Sequence, residues 1–236
     1  MSYPVTKSAL LLVSAATFFY GMKPPTPPVE KQKVVYKGQF FEHAVRGITY
    51  LWQAVFCSSA LAHAGVLLAP LLPSRASTLA THALCHSAAP SPALATLPAP
   101  FLLAAALLVA GGALRLWCYA TLGRHFTFEI TLLPGHALVT RGPYARARHP
   151  SYTGGCAMIA GTTLMFFGAD GWVSGCGMRG TPFVVFVWLW TGLAPYAAWA
   201  LVRRVDVEDA QLRKEFGAKW EEYRVAVPWK FVPYVF

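Results

Sequence analysis

Two stretches of this sequence hold most of the side chains able to do chemistry. The first runs Gly123-Arg-His-Phe-Thr-Phe-Glu129, then His136-Ala-Leu-Val-Thr-Arg-Gly-Pro-Tyr144, then Arg148-His-Pro-Ser-Tyr152. The second holds Arg204-Val-Asp-Val-Glu208-Asp209, then Phe216-Gly217 and Trp220-Glu-Glu-Tyr223. Carboxylates, imidazoles, phenols and guanidiniums supply the acceptors, aromatic faces and donors that a polar ligand needs. A long loop with this many potential ligands is itself a functional hint. Metal is not the reading. The five cysteines (Cys57, Cys85, Cys118, Cys156, Cys176) are odd in number and show no CxxC or Cys/His ligand spacing, so neither a zinc site nor a disulfide framework is expected. Cys57, Cys118 and Cys156 fall in apolar runs and read as small hydrophobes. His82 and His86 are spaced i,i+4, but Pro90, Pro92 and the Ala/Ser/Pro/Thr-rich run over 73–98 predict a loop there rather than a rigid helix.

The elements that must position these residues are apolar. Of 236 residues, 56% are hydrophobic and 13% charged, well under the roughly 25% charged that soluble domains carry. Five apolar segments, near 8–22, 48–72, 97–120, 153–169 and 181–202, approach the ~17–25 residues that cross hydrocarbon. They predict an all-α polytopic membrane protein with about five transmembrane helices in a lipid bilayer. The first segment is read as a helix rather than a signal peptide, because only Lys7 precedes it and no small-residue cleavage site is clear. The net charge of +10 is distributed by side. Lys23, Lys31, Lys33, Lys37 and Arg46 follow the first segment, Arg124, Arg141, Arg146 and Arg148 the third, and Arg203 to Lys230 the fifth; the other side holds Lys7, Arg75 and Arg179. That asymmetry predicts the chemistry-bearing loop and the C-terminus on the cytosolic side, and it argues against a nucleic-acid partner. The small residues Gly154, Gly155, Ala157, Ala160 and Gly161 predict a tight hairpin of the fourth segment with the fifth. Leu212, Phe216, Trp220 and Tyr223 predict an amphipathic helix in the tail.

An RHPxY element, a later Arg-x-x-x-acidic-acidic element, the His-x-Leu-Val-Thr-x-Gly run and the Phe-Gly pair occur here in order, separated by two membrane segments. In these the sequence closely resembles the isoprenylcysteine carboxyl methyltransferases, over about half the chain from Gly123 onward. Asp209 stands where the family's second glutamate is usual. The resemblance implies two regions, 1–122 with three membrane helices and 123–236 as the catalytic part, whose loop and helical tail form a pocket for S-adenosylmethionine. It implies that Glu129, His136, Ala137, Leu138, Val139, Tyr144, His149, Pro150, Ser151, Tyr152 and Glu208 contact that cofactor. It further implies prenylated protein C-termini as partners, Arg204 as the substrate-orienting arginine with Arg148 second, no metal, and residence in the endoplasmic reticulum with the site facing the cytosol.

The implied reaction is simple. A C-terminal carboxylate, with a reference pKa of about 3.3–3.7, is already an anion at neutral pH, so no general base is required. Catalysis then rests on alignment, exclusion of water and an arginine fork on the carboxylate. Plainer readings exist: Arg203 as a headgroup anchor, His149-Pro150 as a helix start, and Arg115 snorkelling to the interface. The rival functions are an NADPH-dependent sterol or steroid reductase, which shares an HPxY element, a phospholipid N-methyltransferase, and a non-catalytic membrane scaffold.

Overall fold

The computed structural model describes residues 3–28, 40–87, 89–131 and 134–235; Lys31, Lys33 and Lys37 of the charge pattern lie outside them. Among the described residues there is no strand. The helices are α1 (Tyr3–Met22), α2 (Phe40–Leu68), α3 (Ser74–Leu84), α4 (Ala99–Leu122), α5 (Pro150–Phe167), the single turn α6 (Trp172–Gly175), α7 (Val184–Phe216) and α8 (Ala218–Ala226). Of these, α1, α2, α4, α5 and α7 are long and apolar enough to cross a membrane, as the five apolar segments led us to expect.

The glycines of α5 are used, but against a different partner from the one expected. A Cβ on Gly154 would lie 2.6 Å from the Gly111 carbonyl oxygen, and one on Gly161 would lie 2.8 Å from that of Ala104. Backbone-to-backbone contact of this kind requires small residues on both helices, and it is α4, not α7, that carries Gly111 opposite α5, while Gly112 faces Thr17 of α1. The α5–α7 contact is looser. That looseness leaves room for a cavity in the middle of the bundle.

Three further expectations are corrected. Cys85 and Cys176 form a disulfide, joining positions 91 residues apart, a separation at which spacing carries no pairing signal. The run over 73–98 contains a real helix, α3, with His82 in its last turn, because the prolines lie beyond its end. The tail is not a separate amphipathic helix after Val202. Instead α7 continues to Phe216 through a run of good helix formers and stops at Gly217, whose φ of +53° only glycine adopts readily. The stripe is therefore shared: Leu212 and Phe216 stand on α7, while the buried Trp220 and Tyr223 stand on α8.

Candidate active site

The RHPxY element sits where a coil becomes a helix. Pro150 takes the first position of α5, where its missing N–H is no loss, and His149 precedes it in a non-helical conformation. The C-terminal segment folds back over this start: the Arg148 and His149 amides donate to the Trp229 and Lys230 carbonyls at 2.9 and 2.8 Å. The Arg148 guanidinium completes the tie. It donates to the Val227 and Pro228 carbonyls, both at 2.8 Å, and to Asp209 Oδ2 at 3.2 and 3.3 Å. Arg148 is thereby engaged in holding the tail.

His149 lies between the two acidic residues of α7. Its Nε2 is 2.8 Å from Asp209 Oδ1 and its Nδ1 3.4 Å from Glu208 Oε2. Burial alone would favour the neutral ring, but hydrogen bonds to Asp209 and Glu208 outweigh it and raise the pKa to about 9. The ring is an imidazolium at neutral pH. Asp209, the residue that departs from the usual glutamate, thus bridges Arg148 and His149, and the shorter side chain suits that distance. Tyr152 stacks flat on His149 with centroids 5.7 Å apart and donates to Glu208 Oε2 at 2.7 Å. Opposite, Tyr223 donates to the Tyr144 carbonyl at 2.7 Å, and burial holds the Tyr144 phenol well above its ordinary pKa.

Around this network opens a cavity of about 920 Å³, its mouth included. Glu129, His136, Ala137, Leu138, Val139, Tyr144, Arg148, His149, Ser151, Tyr152 and Glu208 all line it. Pro150 does not; it serves the helix start. Glu129 is also held from outside by Arg46, whose Nε is 2.6 Å from Oε1 and whose Nη2 is 3.1 Å from Oε2. His125 and His136 meet edge to face at 4.8 Å on the wall, and each keeps a buried Nδ1 with no hydrogen-bond partner. Burial lowers the His136 pKa, His125 adding to the effect, so that ring is neutral and can accept from or donate to a ligand. His125 was in view in the sequence beside Phe126, but a lone histidine carries no signal until its neighbour is known.

A second cavity, about 780 Å³ with its mouth included, lies inside the bundle. Its walls come from α1, α2, α4, α5, α7 and the loop residues Phe126 to Phe128, and apart from Thr49 they are apolar except at the loop end, where Arg204 and Arg115 border it. Arg204 Nη2 donates to the Phe128 carbonyl at 2.6 Å, and its guanidinium lies between the Phe41 and Tyr152 rings at 5.9 and 5.8 Å. Arg115 does not snorkel to the interface. It is 6% exposed and points inward, with Nε donating to the Gly21 carbonyl at 2.6 Å and Nη1 to the Ser151 carbonyl at 3.0 Å. Those carbonyls, one at a helix end and one in a first turn, make an internal site better than the headgroup region. Phe126, Thr127 and Tyr152 line both cavities, so a single thin wall divides them. Thr26, Arg46 and Arg204 pin that wall at the Phe126 carbonyl, Glu129 and the Phe128 carbonyl.

Comparison with known proteins follows the same residues. The family model of the isoprenylcysteine carboxyl methyltransferase (ICMT) family matches residues 104–175, which take in most of α4, the loop and α5. The chain is 30% identical over 131 residues to protein-S-isoprenylcysteine O-methyltransferase B of Arabidopsis thaliana, covering 55% of this chain and 57% of that protein. It is likewise 30% identical over 131 residues to the A form of the same plant. A Delta(14)-sterol reductase of Septoria lycopersici is 32% identical over 116 residues, 43% of this chain and 22% of the reductase. The chain thus spans a little over half the length of the methyltransferases it matches. No solved structure matches. The family resemblance read from the motifs is borne out in the segment from Ala104 to Gly175.

Proposed function

From that resemblance we propose that the protein is an integral membrane methyltransferase that esterifies the C-terminal carboxylate of a prenylated cysteine, with S-adenosylmethionine as donor. One observation carries the proposal: a polar cavity on the loop side and an apolar cavity inside the bundle share a single wall, with Arg204 at the junction. A reaction between a water-soluble donor and a lipidic acceptor needs that pairing. The prenyl chain enters from the bilayer, because burying it gains about 0.8 kcal/mol per CH₂, and the donor enters from the aqueous side.

The residues of the polar cavity fit the donor chemically. Its ammonium and ribose diol call for carboxylates, supplied by Glu208 and Glu129. Its adenine and carboxylate call for the donors and acceptors left on His125 and His136 and for the backbone of His136 to Val139. When bound, S-adenosylmethionine supplies an electrophilic methyl on a sulfonium. The chain itself binds, orients and excludes water. The His149 imidazolium fixes the Glu208 carboxylate, the Tyr152 hydroxyl caps it, and Arg204 turns the acceptor carboxylate toward the shared wall. No proton has to move at the acceptor, which is already ionised.

The orientation proposed puts the loop side in the cytosol and the membrane is taken to be the endoplasmic reticulum. The Cys85–Cys176 disulfide supports this orientation, since it lies at the opposite end of the bundle, where an oxidising lumen would face it. The likeness to the sterol reductase keeps one second reading in play, an NADPH-dependent reductase. Membranes containing the protein, given methyl-labelled S-adenosylmethionine and N-acetyl-S-farnesylcysteine, are expected to form a base-labile methyl ester. No ester together with tight NADPH binding would replace the proposal by the reductase reading.

A further inference from the structure

The apolar cavity has a definite floor. Trp52 on α2 and Trp190 on α7 meet edge to face with centroids 4.7 Å apart and rings at 88°, and both line the cavity at its end farthest from Arg204. The pair is locked in place. The Trp190 indole N–H donates to Thr163 Oγ1 at 2.9 Å, and Phe166 stacks behind it at 6.0 Å. Behind the pair lies Phe166, which borders a separate hollow of about 280 Å³ that shares no lining residue with the apolar cavity, so the cavity ends at the two tryptophans.

The depth above the floor is set by the helices. Arg204 and Trp190 are 14 residues apart on α7, about 21 Å at 1.5 Å per residue, and Phe41 and Trp52 are 11 apart on α2, about 16 Å. An isoprenoid unit adds four bonds of about 1.5 Å to the chain and so extends it by about 5 Å. Three units, about 15 Å, fit above the floor by either measure, and a fourth, at about 20 Å, fits only along α7. We propose, on the reading that this protein methylates prenylcysteines, that the Trp52–Trp190 pair is the device that limits acceptor length, admitting three or four isoprenoid units and excluding five. Ala194, one helical turn nearer Arg204 on the cavity wall, is where a larger side chain would raise the floor.

The test is a length series, N-acetyl-S-prenylcysteines of two to five isoprenoid units, assayed for kcat/KM with the full-length protein in membranes. The parent is expected to lose on the order of tenfold or more between four and five units. Trp52→Ala and Trp190→Leu should raise the five-unit to three-unit ratio at least about tenfold, and Ala194→Phe should lower the four-unit to three-unit ratio by a similar factor. Direct binding of the corresponding non-methylatable carboxamides is measured in parallel. A length profile that is the same in parent and variants overturns the proposal, and if the tryptophan variants fail to fold, the Ala194→Phe profile decides alone. Length-dependent binding without ester formation on any acceptor would leave the floor standing and remove the methyltransferase reading. Ester formation with an unaltered profile would do the reverse.

Discussion

The two ends of the bundle both bury charge, and they differ in what surrounds it. At the end away from the loop, Lys7 is fully buried, donates to Asp170 Oδ2 at 2.6 Å and to the Asp170 carbonyl at 3.0 Å, and lies 4.5 Å from the Phe101 ring centroid. The Cys85–Cys176 bridge and a hydrogen bond from the Trp172 indole to the Leu84 carbonyl close the packing nearby. At the loop end, Arg148, His149, Glu208 and Asp209 form an equally dense network, but it borders a cavity of about 920 Å³. A buried ion pair enclosed on all sides holds a fold together. The same groups beside an open cavity can meet a ligand. Burial and pairing alone do not distinguish the two.

The largest effect that would separate the ends is on stability. Asp170→Ala leaves the Lys7 ammonium buried without its carboxylate, a loss of about 3–5 kcal/mol. Thermal unfolding in detergent should show a markedly lower Tm, while calorimetry on the folded fraction finds S-adenosylmethionine affinity unchanged. A loss of donor affinity at that distance would mean the two ends are coupled. Next in size is Arg204→Lys, which keeps the charge and loses the planar fork. Methyl transfer should fall by about a hundredfold, in line with one charge-assisted pair of ~1.5–3 kcal/mol, with donor affinity near the parent. Arg203→Lys, on the exposed side of α7, is the control and should retain its rate. Equal small losses in both would move the carboxylate clamp away from Arg204.

The contrast between the ends was half legible in the sequence. The apolar lengths gave five spans because hydrocarbon thickness leaves few alternatives, and the motifs, with Glu129, the His136 run and Tyr144, named about half of the residues that line the polar cavity. What escaped depended on distance along the chain. Lys7 with Asp170 and Cys85 with Cys176 are 163 and 91 residues apart, and no local pattern links them. Arg115 looked like an interfacial anchor because its acceptors, the Gly21 and Ser151 carbonyls, come from other helices. Arg148, the second candidate for the substrate-orienting arginine, lines the polar cavity and also holds the tail, a contact that no local pattern announces. Sequence motifs mark which residues gather; only packing tells which of them face the cavity and which hold the others.

Within the loop end, Glu208→Ala should weaken donor binding by about 1.5–3 kcal/mol, roughly ten- to a hundredfold in Kd, and lower Tm by less than Asp170→Ala does, since Asp209 still pairs with His149. Titration calorimetry on the folded variant checks it. An unchanged Kd would assign Glu208 to holding His149 and Tyr152 alone, making it a counterpart of Asp170 rather than a contrast to it.

The smallest effect concerns pH and asks whether the loop end contributes to stability at all. His149 is raised from the ordinary 6.5 to about 9 by its two carboxylates, against the opposing effect of burial. A base whose folded-state pKa lies above its unfolded one binds its proton more tightly when folded, so its contribution is fully present below about pH 6.5 and is lost as pH rises through 9. Between pH 7.5 and 9 the loss should be on the order of 1–2 kcal/mol. Other groups titrate in this range, so the quantity to measure is the Tm of the parent minus that of His149→Asn at each pH. That difference should shrink steadily from pH 7.5 to 9.5. The Asp170→Ala difference, carried by a pair at the other end, should not follow the same curve. A flat His149→Asn difference would mean that the ring is neutral when folded, with Asp209 charge-paired through Arg148 alone and the Glu208 carboxylate held at the polar cavity by the Tyr152 hydroxyl.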